Sequence, residues 1–212
     1  LCRTERMFNA ADRLPIVVDM IVAETAADRR AALDRLLPIQ RADFVGIFRG
    51  MAPHPVTIRL LDPPIHEFLP TERQLEDDIA RLHDLRGAAR GMEVLTEAAR
   101  FAPDTLIPAT LRDFGETRLI DSIIARKEAI LRKARALREV NPMLGHRGVR
   151  LGITYPEIYT MQIRAVLEAA ADCVRSGVEV HPEIMVPQVC TAQELNLVRD
   201  YMSAVQKQVE LT

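Results

Sequence analysis

Two strand-length runs set between helices constrain this chain most. Val56-Thr-Ile-Arg-Leu-Leu61 is rich in β-branched residues and bounded by Pro53 and Pro55 before it and Pro63-Pro64 after it, the composition and punctuation of a strand. Val178 to Val189 reads as another strand, largely apolar after Pro182, as strands are when both faces are covered. Helical patterns stand on either side of each run, and alternation of strand and helix predicts a parallel sheet of the α/β class.

The helices announce themselves by period and punctuation. Met7 to Ala23 is helical in character, and another helix begins after Thr25, whose hydroxyl is placed to cap the following amides. Leu33, Leu36, Leu37, Phe44, Ile47 and Phe48 share one face of it, while Pro38 kinks or splits it. Residues 71 to 140 change to dense, balanced charge with long-chain helix formers, especially Glu116 to Glu139. Gly87, Gly91, Pro103, Pro108 and Gly115 punctuate this section, which reads as two or three helices joined by loops. A further helix starts with Thr154 as cap and Pro156 in its first turn, buries Ile163, Val166, Leu167, Ala170, Cys173 and Val174, and stops at Gly177. Thr191-Ala-Gln-Glu194 is a capping box that opens a last amphipathic helix, with Leu195, Val198, Met202, Val205 and Val209 facing inward.

Composition narrows the function classes. With 48% hydrophobic residues in 212, the chain has material for an ordinary buried core. A formal charge of −2 and 4% aromatics argue against nucleic-acid binding, which favours a basic stripe interleaved with aromatics. No apolar run approaches the roughly 20 residues that span a bilayer, and the N-terminus lacks a basic-then-apolar signal pattern. A soluble, cytoplasmic protein without membrane or nucleic-acid partners is expected. Cys2, Cys173 and Cys190 are odd in number and widely spaced, which suggests neither a disulfide framework nor a zinc site. Lysine occurs only at Lys127, Lys133 and Lys207, so most cationic side chains are arginines, and any one of them is by default a solvated surface residue.

Four blocks depart from that default. They are Leu1-Cys-Arg-Thr-Glu5, Pro55-Val-Thr-Ile-Arg-Leu-Leu-Asp-Pro-Pro-Ile-His-Glu-Phe-Leu-Pro70, Asn141-Pro-Met-Leu-Gly-His-Arg-Gly-Val-Arg-Leu-Gly152 and Val180-His-Pro-Glu-Ile-Met-Val-Pro-Gln-Val189. In this order they resemble the phosphoenolpyruvate-binding barrel of the pyruvate phosphate dikinase family. The resemblance covers residues 1 to 70 and 141 to 212 well and 71 to 140 poorly. It implies a helix-rich α/β fold, a partial (β/α)8 (TIM) barrel amounting to roughly its first half. Residues 1–70 would supply the first βα units, 71–140 a mainly helical insertion, and 141–212 continuing units truncated before the later strands.

Phosphoenolpyruvate carries a phosphate and a carboxylate close together, and planar guanidiniums grip such oxygens two at a time better than ammonium groups do. In a parallel barrel the ligand lies at the carboxyl ends of the strands. Arg3, Arg59 and Arg147 occupy the positions where the family's blocks carry substrate arginines, which implies that all three bind substrate and that Arg59 and Arg147 also stabilise the transferred charge. Arg150 reads as structural, pairing with a carboxylate. Gly145 and Gly148 allow close backbone approach to an anion, or form a plain turn. Asp62, His66 and Glu67 form a cluster suited to proton transfer or a metal, against the favoured reading of a hydrogen-bonded loop that positions Arg59. His146 either touches substrate or, as favoured, packs its ring beside the site; Glu183 need not be a ligand.

The resemblance further implies interconversion of ATP, phosphate and pyruvate with AMP, pyrophosphate and phosphoenolpyruvate through a phosphohistidine. It places the magnesium ligands and the proton-donating cysteine on later strands outside this chain, so no metal ligand is assigned here and Cys190 is not that cysteine. The remaining dikinase domains, including the phosphohistidine domain, are the expected partners, and the chain alone is expected to be inactive. The alternatives are a non-catalytic structural or interaction module derived from such a barrel, or a piece of a related phosphoenolpyruvate synthase. Open strand edges tend to be covered, so a homo-oligomer is expected.

Overall fold

The structure is a computed structural model in which residues 1–98, 117–138, 141 and 145–210 are described. The chain divides into two compact units, one of residues 1–68 with 139–212 and the other of residues 69–138.

The first unit is a helix-rich α/β assembly around a small parallel sheet. Strand β1 (Cys2–Arg3), helix α1 (Glu5–Phe8), α2 (Leu14–Val22), α3 (Ala26–Met51) and β2 (Pro55–Arg59) are followed by a 3-10 turn at Ile65–Phe68. After α4 (Glu72–Ala98) and α5 (Thr117–Ala136), which belong to the other unit, come α6 (Val149–Thr154), α7 (Pro156–Arg175), β3 (His181–Met185) and α8 (Ala192–Glu210). The strands lie in the order β1-β2-β3, all parallel, with Arg3 opposite Arg59 and Arg59 opposite Met185. Val56 and Ile58 alternate inward and join Phe44 and Phe48 of α3 and Ala165, Val166, Ala169 and Cys173 of α7 in one apolar core. Period two along β2 sends Thr57 and Arg59 to the opposite face, where Thr57 donates to Glu183 across the strands at 2.6 Å.

Several expectations change on contact with this unit. Met7 to Ala23 is two helices, because one continuous helix would bury Pro15 mid-run, where its ring clashes with the preceding turn. In the structure α2 opens at Leu14, with Pro15 in its first turn. Pro38 does the opposite and sits inside an unbroken α3. Its cost of about 3 kcal/mol is outweighed by burying Leu33, Leu36, Phe44 and Phe48, each worth about 2 kcal/mol. Thr25 caps α3 as expected, accepting from the amide of Asp28 at 3.1 Å.

Thr154 does not cap α7. It ends α6, donating to the carbonyl of Arg150 at 3.1 Å, while Tyr155 takes the cap position and Pro156 the first helical one. On α7 Val174 is exposed, and Ile158, Tyr159 and Gln162 extend the buried stripe instead. Strand β3 covers only five residues and is buried on neither face completely, its side chains alternating between exposed and half-buried. The reciprocal capping box of α8 is formed: Glu194 accepts from the amide of Thr191 at 2.9 Å, and Thr191 accepts from that of Glu194 at 3.3 Å. Val198 and Val205 are buried beneath α8, whereas Leu195 is exposed.

One buried ion pair ties α3 to α7. Arg29 donates to Glu157 at 2.6 Å and to the carbonyl of Ala23 at 3.1 Å, with its guanidinium 4.3 Å from the centre of the Tyr155 ring.

The second unit contains α4 (Glu72–Ala98) and α5 (Thr117–Ala136). The two run antiparallel, because ion pairs join Asp78 to Lys127 at 2.7 Å, Asp121 to Arg86 at 3.0 Å, and Glu72 to Arg135 at 3.5 Å. Gly87 and Gly91 do not punctuate it, since α4 runs through both. Pro103, Pro108 and Gly115 lie outside the described residues. Among the described residues no helix is long and apolar enough to cross a membrane.

Candidate functional site

Arg59 is the last residue of β2, and Arg3 the last of β1 directly opposite it. Register partners in a parallel pair point to the same face, so the sheet brings two of the three expected arginines side by side at the carboxyl ends of their strands. Arg3 is exposed there. The third, Arg147, arrives from a tight turn in which its amide donates to the carbonyl of Gly145 at 3.0 Å.

Asp62 organises the cluster. Its carboxylate oxygen Oδ2 is 3.3 Å from Nη1 of Arg59 and accepts from Nη2 of Arg147 at 3.0 Å. Nη2 of Arg59 also donates to Glu5 at 2.6 Å. Asp62 is buried, and its second oxygen Oδ1, like Nε of Arg59, has no hydrogen-bond partner among the described residues. Buried polar atoms of this kind are uncommon in finished structures. Arg59 and Arg147 balance Asp62 and Glu5 in charge, and Arg3 stands beside Arg59 at the strand ends as a further, exposed cation. An exposed guanidinium beside this buried network can take an anion by charge-assisted hydrogen bonds.

The backbone around Arg59 is fixed at each successive residue. The Arg59 carbonyl accepts from the hydroxyl of Thr4 at 3.0 Å, and the Leu60 amide donates to Met185 at 3.0 Å. The Leu61 amide donates to Oε1 of Gln162 at 2.9 Å, the Leu61 carbonyl accepts from the hydroxyl of Tyr159 at 3.1 Å, and the Asp62 carbonyl accepts from the amide of Gly148 at 2.9 Å. Val149 in turn donates to the carbonyl of Pro187, just past β3, at 3.0 Å. The loops after β2 and β3 and the start of α6 are thereby joined around Arg147.

Gly148 is required at this junction. Its φ of +58° is disfavoured for residues with a side chain, and a Cβ there would stand 2.9 Å from the carbonyl oxygen of Pro187. Gln188 also holds a positive φ of 58° on the facing loop. The hydroxyl of Tyr159 is pushed well above the ordinary tyrosine range, by burial first and by the nearby Asp62 second, so it remains a donor.

The other sequence candidates fall around this centre. Of the acidic and imidazole cluster, Asp62 faces the arginines, whereas His66 is half-buried and Glu67 exposed on the following 3-10 turn. His146 stacks edge-on to Tyr155, ring centres 5.8 Å apart, and its Nε2 is 2.8 Å from the Thr154 hydroxyl. Arg150 donates to the Gly145 carbonyl at 3.4 Å and lies 3.9 Å from the sulfur of Cys190. Glu183 pairs with Thr57.

Sequence reading missed Thr4, Tyr159 and Gln162, all fully buried. The available signal was polarity inside an apolar stripe, at spacing i, i+3 on α7 for the last two. Among the described residues no group of three or more His, Cys, Asp or Glu side chains forms a metal cage. Asp62 and Glu5 are committed to guanidiniums, so this cluster does not fit a divalent cation.

Residues 1–212 match the family described as PEP-utilising enzyme, PEP-binding domain. The chain is 44% identical over 211 residues to the pyruvate, phosphate dikinase of Entamoeba histolytica, covering 99% of this chain and 20% of that protein. It is 45% identical over 209 residues to pyruvate, phosphate dikinase 1, chloroplastic, of Arabidopsis thaliana, covering 99% and 18% respectively. It is also 45% identical over 210 residues to the pyruvate, phosphate dikinase of Rhizobium meliloti, covering 99% and 19%. The chain therefore spans about a fifth of the length of these relatives. With a match along its whole length and an arginine cluster at the carboxyl ends of its strands, the chain belongs to the PEP-binding-domain family of the PEP-utilising enzymes.

Proposed function

We propose that Arg3, Arg59 and Arg147 bind phosphoenolpyruvate, and that in a dikinase of the kind this chain resembles they hold the phosphoryl group during its transfer to and from a phosphohistidine. The observation that carries the reading is the convergence of Arg59 and Arg147 on one buried carboxylate, at the carboxyl end of a parallel strand whose neighbour ends in Arg3. In this reading Asp62 and Glu5 orient the guanidiniums, and a ligand phosphate is met by the exposed donors of Arg3 and the partly exposed guanidiniums of Arg59 and Arg147. Arg59 and Arg147 meet the charge that grows on the phosphoryl oxygens, where preorganised donors contribute most.

The sheet is read as part of a (β/α)8 barrel, of which residues 1–70 and 141–212 give roughly the first half, with 71–140 a helical insertion. Helices cover one face of β2 while the other carries Thr57 and Arg59, as an inward barrel face would. The whole reaction, interconversion of ATP, phosphate and pyruvate with AMP, pyrophosphate and phosphoenolpyruvate, then depends on domains beyond this one. The magnesium ligands of such an enzyme are read as lying outside this chain.

The test is a titration of the 212-residue chain with phosphoenolpyruvate, followed through the guanidinium resonances of Arg59 and Arg147. Saturable shifts that vanish in Arg59→Ala support the reading, and a spectrum indifferent to ligand refutes it. In an intact dikinase carrying this domain, Arg59→Lys or Arg147→Lys should lower the maximal rate about a hundredfold.

A further inference from the structure

Leu61 lies between Arg59 and Asp62, and neither of its backbone groups is satisfied by the sheet. Both are taken by α7 side chains: Gln162 accepts from the amide at 2.9 Å and Tyr159 donates to the carbonyl at 3.1 Å. Both side chains are completely buried. Packing alone does not explain this choice. The Nε2 group of Gln162 has no hydrogen-bond partner among the described residues, and an amide half-satisfied in a core is worse than an apolar side chain of the same size. The polar pair does what apolar residues cannot, which is to fix the height and rotation of one peptide at the end of β2.

That peptide sets the reach of the carboxylate following it. Asp62 must place one oxygen against two guanidiniums, one from the end of β2 and one from the turn before α6, and a shift of about 1 Å would release one of them.

We propose that Tyr159 and Gln162 are positioning residues for the anion site: by gripping Leu61 from α7 they determine where Asp62 holds the guanidiniums of Arg59 and Arg147. The inference rests on reading that cluster as a phosphoenolpyruvate site.

The experiment uses the 212-residue chain with Tyr159→Phe, which keeps the buried ring, Gln162→Met, which keeps the volume, and Tyr201→Phe on α8 as a tyrosine control. Three quantities are measured: Arg59 and Arg147 guanidinium resonances without ligand, affinity for phosphoenolpyruvate, and hydrogen exchange of the Leu61 amide in the unsubstituted chain. Tyr159→Phe and Gln162→Met should each move both arginine resonances and weaken binding about five- to tenfold, the worth of one well-placed hydrogen bond; Tyr201→Phe should do neither. Leu61 should exchange as slowly as the amides of the β2 ladder, a result that needs no variant to fold. Unmoved arginine resonances in folded variants, or a rapidly exchanging Leu61 amide, overturn the proposal. If the unsubstituted chain ignores phosphoenolpyruvate, the functional reading fails, while the ligand-free resonances still decide whether the two residues position the arginines.

Discussion

Gly152→Ala is the sharpest test of how the site is braced. Gly152 is buried in α6, and a Cβ there would stand 2.4 Å from Cδ2, 2.5 Å from Cε2 and 2.6 Å from Cγ of Tyr159. Carbon atoms approach comfortably only to about 3.5 Å, so the overlap is on the order of 1 Å. The ring has nowhere to go, being fully buried and tied by its hydroxyl to Leu61. Nor can α6 simply retreat, because the Gly148 and Val149 amides are bound to Asp62 and Pro187. Overpacking costs about 2 kcal/mol, and breaking the bond to the Leu61 carbonyl adds about 2 kcal/mol. The better helix propensity of alanine returns about 1 kcal/mol. The net loss is about 3 kcal/mol, equivalent to a fall in Tm of about 10 °C. All three tyrosines, Tyr155, Tyr159 and Tyr201, lie in the sheet-containing unit, and the chain has no tryptophan. Tyrosine fluorescence during urea unfolding therefore reports that unit. Tyr159→Leu should absorb part of the penalty, making the double variant more stable than the sum of the two single changes. A Gly152→Ala chain within about 0.5 kcal/mol of the unsubstituted one would refute this account of the packing.

Two further changes probe the junction and the last helix. Gly148→Ala should cost about 2 kcal/mol through its positive φ and the Pro187 carbonyl, and weaken phosphoenolpyruvate binding about tenfold, as measured by urea unfolding and calorimetric titration. Unchanged affinity would separate this turn from the site. The carboxyl of Glu194 is held below the usual range by the amides of Cys190 and then of Thr191. Its folded form thus binds a proton less readily than the unfolded chain, and its stabilisation is present above about pH 4.5 and lost as pH falls through the lower folded value. Glu194→Gln should accordingly lower Tm near neutrality and have no effect in acid, and a Tm difference independent of pH would contradict that sign.

What could be read from the residues was whatever depends on short range. Thr25 and the box of Thr191 and Glu194 announce helix starts because a cap needs only its next three residues. Arg59 and Arg147 stood out through the apolar and glycine-rich company around them, and Arg3 through the block it opens. The organising role of Asp62 needed the structure, because its two partners come from positions 59 and 147. Tyr159 and Gln162 were hidden in an apolar stripe, where a polar residue announces burial without naming its partner. Pro15 and Pro38 illustrate the same limit: whether a proline starts a helix or rides inside one depends on how much apolar surface the flanking turns bury. Strand β3 was expected too long because apolar character continues past the point where the chain turns at Gln188.

The register of the sheet also has a kinetic meaning. Thr4 meets Arg59 across 55 residues of sequence, and Arg147 meets Asp62 across 85, so apart from the contact of Arg59 with Asp62 the arginine cluster is assembled from distant segments. Parallel pairings of this span form slowly, after the entropy of closing long loops has been overcome. Helices α3 and α7 can gather early through their own apolar faces, but the arginine cluster is complete only when Arg147 has met Asp62. Under the proposed function, an incompletely folded chain would offer phosphoenolpyruvate scattered arginines rather than a weakened version of the site.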